Sequence, residues 1–108
     1  MFAQTPTPPY YAVIFTSVRT DVEEGYTETE DRLEAMVKDQ PGFLGMESVR
    51  KELGITVCYW KDLESIRNWA QNPDHQLAQK KGKSTWYKDY RVRVCKVERE
   101  LWQSGGFG

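Results

Sequence analysis

The sequence has little of what marks several large classes of protein. Its 108 residues include two cysteines and one histidine, too few for a disulfide framework or a Cys/His zinc site. Acidic and basic residues are interspersed and leave a net charge of −1, which argues against nucleic acid or an anionic membrane as a partner. No apolar run approaches the roughly 20 residues that span a bilayer, and the N-terminus lacks a signal-peptide pattern. We therefore expect a cytoplasmic protein without a metal site.

Aromatic residues, in contrast, are plentiful. They make up 13% of the chain and include four tryptophans and six tyrosines, so the rings are expected to line a surface or a pocket. The length fits one domain. We expect residues 1–9, rich in Thr and Pro, to be a flexible lead, residues 10–102 to form the domain, and residues 103–108 to be a flexible tail.

The hydrophobic pattern predicts four strands and two main helices. β-Branched and aromatic runs predict strands at 10–18, 43–52, 55–60 and 90–100. Apolar residues at helical spacing predict helices over about 22–39 and from Leu63 through Ala70. The order β-α-β-β-α-β indicates an α+β, ferredoxin-like domain with a four-stranded antiparallel sheet. Right-handed crossovers then give the strand order 4-1-3-2.

This strand order has two consequences for the sequence. Cys58 and Cys95 fall on strands that are separated by the first strand, roughly 10 Å apart, so they are expected to be free thiols. In the first strand Val13 and Phe15 share one face, while Ile14 and Val18 share the other. Two helices cover only one face of such a sheet. We therefore expect a homodimer in which a second copy covers the remaining face and completes a shared barrel.

The single histidine follows a helix-start signal. Asn72, Pro73 and Asp74 supply an N-cap residue, a proline at the first helical position and an acidic residue in the first turn. A continuous helix would place Trp69 and His75 about 240° apart, whereas a break at Pro73 allows the two residues to share one pocket wall.

Three segments, PGFLGMESVR, YWKDLESIRNW and RVRVCKVERE, together resemble the antibiotic biosynthesis monooxygenase family, whose members are dimeric α+β barrels. The resemblance covers roughly residues 10–100. It implies a cofactor-independent monooxygenase that acts on a small aromatic or quinol-type substrate. An alternative is a non-catalytic, small-molecule-binding or stress-associated dimer, and a third possibility is a haem-degrading enzyme.

The haem-degrading branch of that family carries an Asn on the first strand, a Trp on the helix and a His ten residues later. Trp69 matches the tryptophan, but Gln79 stands where the histidine is required, and Phe15, Thr16 and Ser17 include no Asn. The resemblance therefore implies that no cofactor is needed and argues against haem.

The candidate catalytic residues are His75, as the general base that takes a phenolic proton, and Trp69, as an aromatic wall. Each has a simpler alternative, since His75 could face solvent at a helix start and Trp69 could pack in the core. The residues expected to contact substrate through hydroxyl groups or rings are Thr16, Ser17, Tyr59, Trp60 and Trp86. The sequence leaves open which substrate is used and whether the chain is catalytically active.

Overall fold

The computed structural model describes residues 2–103 and, as backbone, residues 106 and 107. The main strands are β1 (Tyr10–Arg19), β2 (Phe43–Arg50), β3 (Gly54–Trp60) and β4 (Tyr87–Val97). The helices are α1 (Tyr26–Val37), α2 (Leu63–Ala70) and α3 (Pro73–Lys81), and a π-helical turn at Gly82–Trp86 leads into β4. Two short strands, β5 (Leu101–Trp102) and β6 (Gly106–Phe107), pair with each other. No helix in the described ranges is long and apolar enough to cross a membrane.

The sheet confirms the predicted ferredoxin-like α+β fold. Its strand order is β2-β3-β1-β4, and every neighbouring pair is antiparallel. Cys58 lies opposite Val13 on one side of β1, and Cys95 lies opposite Ala12 on its other side. Both cysteines are free, as predicted.

The largest differences from the sequence-based expectation are at the start of α1 and at both ends of β4. Helix α1 begins at Tyr26 rather than near residue 22, because Gly25 precedes it in the left-handed region with φ +78°. Strand β4 begins at Tyr87 and ends at Val97, three residues earlier at each end than the alternating pattern indicated. Its first residues pair with the end of β1, so that pairing with a neighbouring strand extends β4 beyond the segment of strongest strand pattern.

The segment before β1 contacts β2 and the residues that follow β4. The backbone N–H of Ala3 donates to Glu47 Oε2 on β2 at 3.0 Å, and the hydroxyl of Thr5 donates to Glu100 Oε1, beyond the end of β4, at 2.6 Å. The domain limits expected at residues 9 and 102 stay a prediction. Of the expected flexible tail, residues 104, 105 and 108 lie outside the described residues.

The helices lie on one face of the sheet. Side chains alternate along a strand, so Val13 and Phe15 of β1 share a face, and this face is the one that α1 and α2 cover. Ile14, which lies opposite Val57 of β3, points to the helix-free face. Val57 and Glu47, which lie opposite each other on β3 and β2, share that face. The apolar helix-free face is the surface on which the dimer prediction now rests.

The closely packed part of the protein is small. Six apolar side chains are buried among the described residues: Tyr10, Ala12, Val37, Trp60, Ala78 and Trp86. Many other side chains between the helices and the sheet are only half-buried, because they border an open space rather than one another. The position of that space defines the candidate site.

The turn that leads into β2 generates a stability prediction. Gly42 has φ +85°, and an added Cβ would overlap Ser65 Oγ on α2. Gly25 has a similar φ, but its added Cβ would meet only Trp86 at 3.6 Å. Gly42→Ala should therefore lower the free energy of unfolding by at least about 1–3 kcal/mol, and by more than Gly25→Ala does.

Urea denaturation of both variants and of the parent measures the difference. If both variants lose the same free energy of unfolding, the contact with Ser65 does not affect stability.

Candidate functional site

A cavity of about 710 Å³ lies between the sheet and the helices. Its volume is within the range of roughly 300–1,000 Å³ that is typical of small-molecule sites. Leu33 of α1 and Ile66 of α2 contribute to its walls. The floor consists of strand side chains on the helix-covered face, namely Val13, Phe15, Cys58, Val92 and Val94.

One side of the cavity is shaped by the break between α2 and α3. The side-chain oxygen of Asn72 accepts hydrogen bonds from the backbone N–H groups of Asp74, at 2.9 Å, and His75, at 3.2 Å. Pro73 occupies the first turn of α3, where its missing N–H costs no helical hydrogen bond. This cap ends one helix and starts the next at a different angle.

The break brings His75 back over Trp69. The two rings are stacked, with centroids 4.5 Å apart and an interplanar angle of 13°, and both residues line the cavity. Six residues of uninterrupted helix would place them on different faces. The two catalytic candidates of the sequence analysis are thus adjacent in space.

The hydrogen bonding of His75 determines which ring nitrogen is basic. Its Nδ1 lies 3.1 Å from the backbone carbonyl oxygen of Trp69. A carbonyl oxygen can only accept, so Nδ1 carries the proton and Nε2 carries the lone pair. Burial lowers the pKa of His75 below its ordinary value, although the hydrogen bond to Trp69 opposes this shift. The imidazole is therefore neutral near neutral pH, with Nε2 able to accept a proton.

Two further predicted aromatic residues line the same cavity. Trp60, 1% exposed, packs edge-on against Phe43, with ring centroids 5.2 Å apart. Trp86 donates its Nε1–H to the carbonyl oxygen of Glu24 at 3.1 Å and packs edge-on against Tyr26. Packing or hydrogen bonding fixes both indoles in place. Both residues lie on elements other than α2 and α3.

The other three predicted substrate contacts, Thr16, Ser17 and Tyr59, do not line the cavity. Thr16 and Tyr59 point to the helix-free face, because they alternate with the cavity-lining residues of their strands. The Tyr59 hydroxyl donates to Glu47 at 2.7 Å. Ser17 is on the helix-covered face, but its hydroxyl accepts a hydrogen bond from Arg50 and only 1% of the residue is exposed.

The charged residues of the cavity were not predicted from the sequence. Glu30 and Arg50 both line it, together with Tyr87. Glu30 could have been found from its spacing, since it lies between Tyr26 and Leu33 in the apolar stripe of α1. A carboxylate within the apolar stripe of a helix faces the interior of the domain, as the apolar residues beside it do.

Other reactive groups are poorly suited to catalysis. Burial raises the pKa of the Cys58 thiol to about 11, with Glu30 and Glu34 adding to the effect. The thiol is therefore protonated and weakly nucleophilic near neutral pH. Within residues 2–103, no group of three His, Cys, Asp or Glu side chains could hold a metal ion.

Fold and site together define an α+β domain with an aromatic-lined cavity between its sheet and helices. The family model described as antibiotic biosynthesis monooxygenase matches residues 9–81. The protein YqjZ of Bacillus subtilis (strain 168) is 51% identical over 100 residues, which cover 91% of this chain and 88% of YqjZ. The chain belongs to the antibiotic biosynthesis monooxygenase family.

Solved structures support the same fold at low sequence identity. A variant of SnoaB, a cofactor-independent oxygenase from Streptomyces nogalater, superposes with a TM-score of 0.73 at 12% identity over 85% of this chain and 96% of SnoaB. Protein SO0527 from Shewanella oneidensis gives a TM-score of 0.72 at 8% identity over 82% of this chain and 91% of its own. At these identities the likeness concerns the fold alone.

The environment of His75 can be tested without a substrate. Because the chain has one histidine, a single imidazole Cε1–H resonance reports its titration by NMR. Burial lowers the folded-state pKa, so the midpoint should lie below the ordinary value of 6.5. In urea the midpoint should return to about 6.5.

The same shift predicts that protonation of His75 favours unfolding. Its contribution to the free energy of unfolding is complete above the unfolded pKa and is lost as the pH falls through the folded pKa. A midpoint that is identical in native protein and in urea would contradict the buried, stacked position of the ring.

Proposed function

We propose that the protein is a cofactor-independent monooxygenase acting on a small aromatic or quinol-type molecule bound in the cavity. The observation that carries this proposal is the stacked pair of Trp69 and His75 on the cavity wall, with His75 Nε2 available as a base. Membership of the monooxygenase family and the fold shared with SnoaB support it.

The proposed reaction requires few functional groups from the protein. A phenol or anthrone that has lost a proton can itself transfer an electron to O₂. Conversion of an anthrone CH₂ group and O₂ to a carbonyl and water is balanced without any external reductant. The protein must bind the planar substrate, accept its proton and limit access of water. A metal or flavin is not required by this scheme.

Each step has a residue suited to it. His75 Nε2 accepts the substrate proton, and the Trp69 carbonyl stabilises the resulting imidazolium through Nδ1–H. Trp60 and Trp86 are 1% and 3% exposed, so they support the cavity wall from behind, while Trp69 keeps the imidazole in position by stacking. In many sites that use a histidine, a carboxylate orients the imidazole ring. In this protein the backbone carbonyl of Trp69 has that role.

Loss of the base should slow turnover. Oxygen consumption with a panel of quinols and anthrones should fall by about 10²-fold or more in His75→Gln, the size of a lost general base. Gln76→Ala changes the exposed neighbour on the same helix and should leave the rate unchanged.

Equal rates for His75→Gln and the parent would remove His75 from the mechanism. Ligand binding without oxygen consumption in the parent would instead favour a non-catalytic, small-molecule-binding protein.

The assembly we propose is a homodimer formed through the helix-free face. Ile14 points to this face and Val13 to the cavity, so the two adjacent residues form a matched pair. Ile14→Asp places a charge in the expected interface and should shift the protein to monomers in sedimentation velocity at micromolar concentration. Val13→Asp should leave the dimer intact while weakening ligand binding. A monomeric parent across the micromolar range would contradict this assembly.

Haem is not expected to bind with a histidine-ligated spectrum. Gln79 lines the cavity at the position where the haem-degrading branch has its ligand, and an amide is not a strong-field ligand. Added haemin should give no one-to-one Soret complex that depends on His75. Such a complex, abolished by His75→Ala, would overturn the cofactor-independent proposal.

A further inference from the structure

Glu30 is a charged side chain of the cavity for which the scheme above has no use. It lies in the second turn of α1 and lines the cavity with Tyr26 and Tyr87. The residue is exposed, and the protein around it nevertheless desolvates the carboxylate enough to raise its pKa. The partly desolvated carboxylate is a strong hydrogen-bond acceptor.

Tyr87 positions this carboxylate. The Tyr87 hydroxyl donates to Glu30 Oε1 at 3.3 Å. Its ring is fixed by edge-on contacts with Phe15 and Tyr26, at centroid distances of 5.2 and 6.2 Å. Burial raises the pKa of Tyr87 above its ordinary value, so the hydroxyl is protonated and can donate near neutral pH. One oxygen of Glu30 is thereby engaged, and no hydrogen bond to Oε2 is formed by the described residues.

The charges around the cavity favour a neutral hydrogen-bond donor as the partner of Glu30. Its lining contains three carboxylates, from Glu30, Asp31 and Glu34, and two cations, from Arg50 and Lys83. Arg50 is already engaged with the hydroxyl and carbonyl of Ser17. An anionic substrate would therefore meet net negative charge, whereas a hydroxyl group would find an acceptor.

We infer that Glu30 accepts a hydrogen bond from a second hydroxyl of the substrate, so that the preferred ligand is an aromatic diol rather than a monophenol. This inference rests on the proposed function for the identity of the cavity as a substrate site. One hydroxyl of the diol is presented to His75 Nε2, and the other to Glu30 Oε2. Tyr87 is a positioning residue, since it acts through Glu30.

The test uses two ligands that differ in one hydrogen-bond donor. Under anaerobic conditions, tryptophan fluorescence is titrated with 2,6-dihydroxynaphthalene and with 6-methoxy-2-naphthol. The parent should bind the diol about tenfold or more tightly than the methyl ether, the effect of one hydrogen bond to a charged group. In Glu30→Met the ratio of the two dissociation constants should fall to about one.

Glu34→Met is the matched control. Glu34 also lines the cavity from α1 and forms an ion pair with Lys38 at 3.5 Å, so its loss removes the same charge from the same helix. This variant should keep the parent's preference for the diol, and Tyr87→Phe should reduce the preference without abolishing binding. Glu30→Gln, which preserves shape, provides a second variant if Glu30→Met unfolds, and it should lower the ratio several-fold.

Equal affinities of the parent for the two ligands would overturn the inference, as would equal losses in Glu30→Met and Glu34→Met. Because binding is measured without O₂, the result is separate from that of the oxygen-consumption assay. Diol selectivity without turnover would support the role of Glu30 and contradict the monooxygenase proposal. Turnover without diol selectivity would support the monooxygenase proposal and contradict the role of Glu30.

Discussion

The backbone break at Asn72 and Pro73 is the constraint on which the site depends. The Asn72 cap satisfies the first N–H groups of α3, and the break lets the chain turn so that His75 stacks on Trp69. The same turn places the Trp69 carbonyl against His75 Nδ1, which selects the tautomer whose Nε2 is basic. One local feature therefore sets the position, the orientation and the tautomer of the proposed base.

The cavity follows from how the helices lie on the sheet. Aromatic side chains such as Trp60 and Trp86 are well packed, but they do not fill the space between the sheet and the helices. Filling it with apolar side chains would stabilise the fold by burying more surface. An unfilled space with a neutral imidazole and a desolvated carboxylate on its walls is better suited to holding a ligand than to stabilising the domain.

The fold was largely predictable from sequence, whereas the site was predictable only in part. Strand alternation and helical spacing are local signals, and they gave the element order, the strand order and the free thiols of Cys58 and Cys95. The cap signal at Asn72 likewise indicated a break before His75. The strand pattern did not reveal which face the helices cover, so it could not show that Thr16 and Tyr59 lie on the face opposite the cavity. The position of Glu30 in the apolar stripe of α1 is a local signal, whereas its contact with Tyr87, which is distant in sequence, is not.

The central claim is that neutral His75 accepts the substrate proton. Its most direct test compares two midpoints in one preparation: the pH dependence of kcat/KM for oxygen consumption with a quinol, and the NMR titration of the His75 imidazole. The rate should fall as the pH is lowered, with a midpoint equal to that of the imidazole and below the ordinary histidine value. A rate that stays constant while the imidazole becomes protonated would contradict the claim.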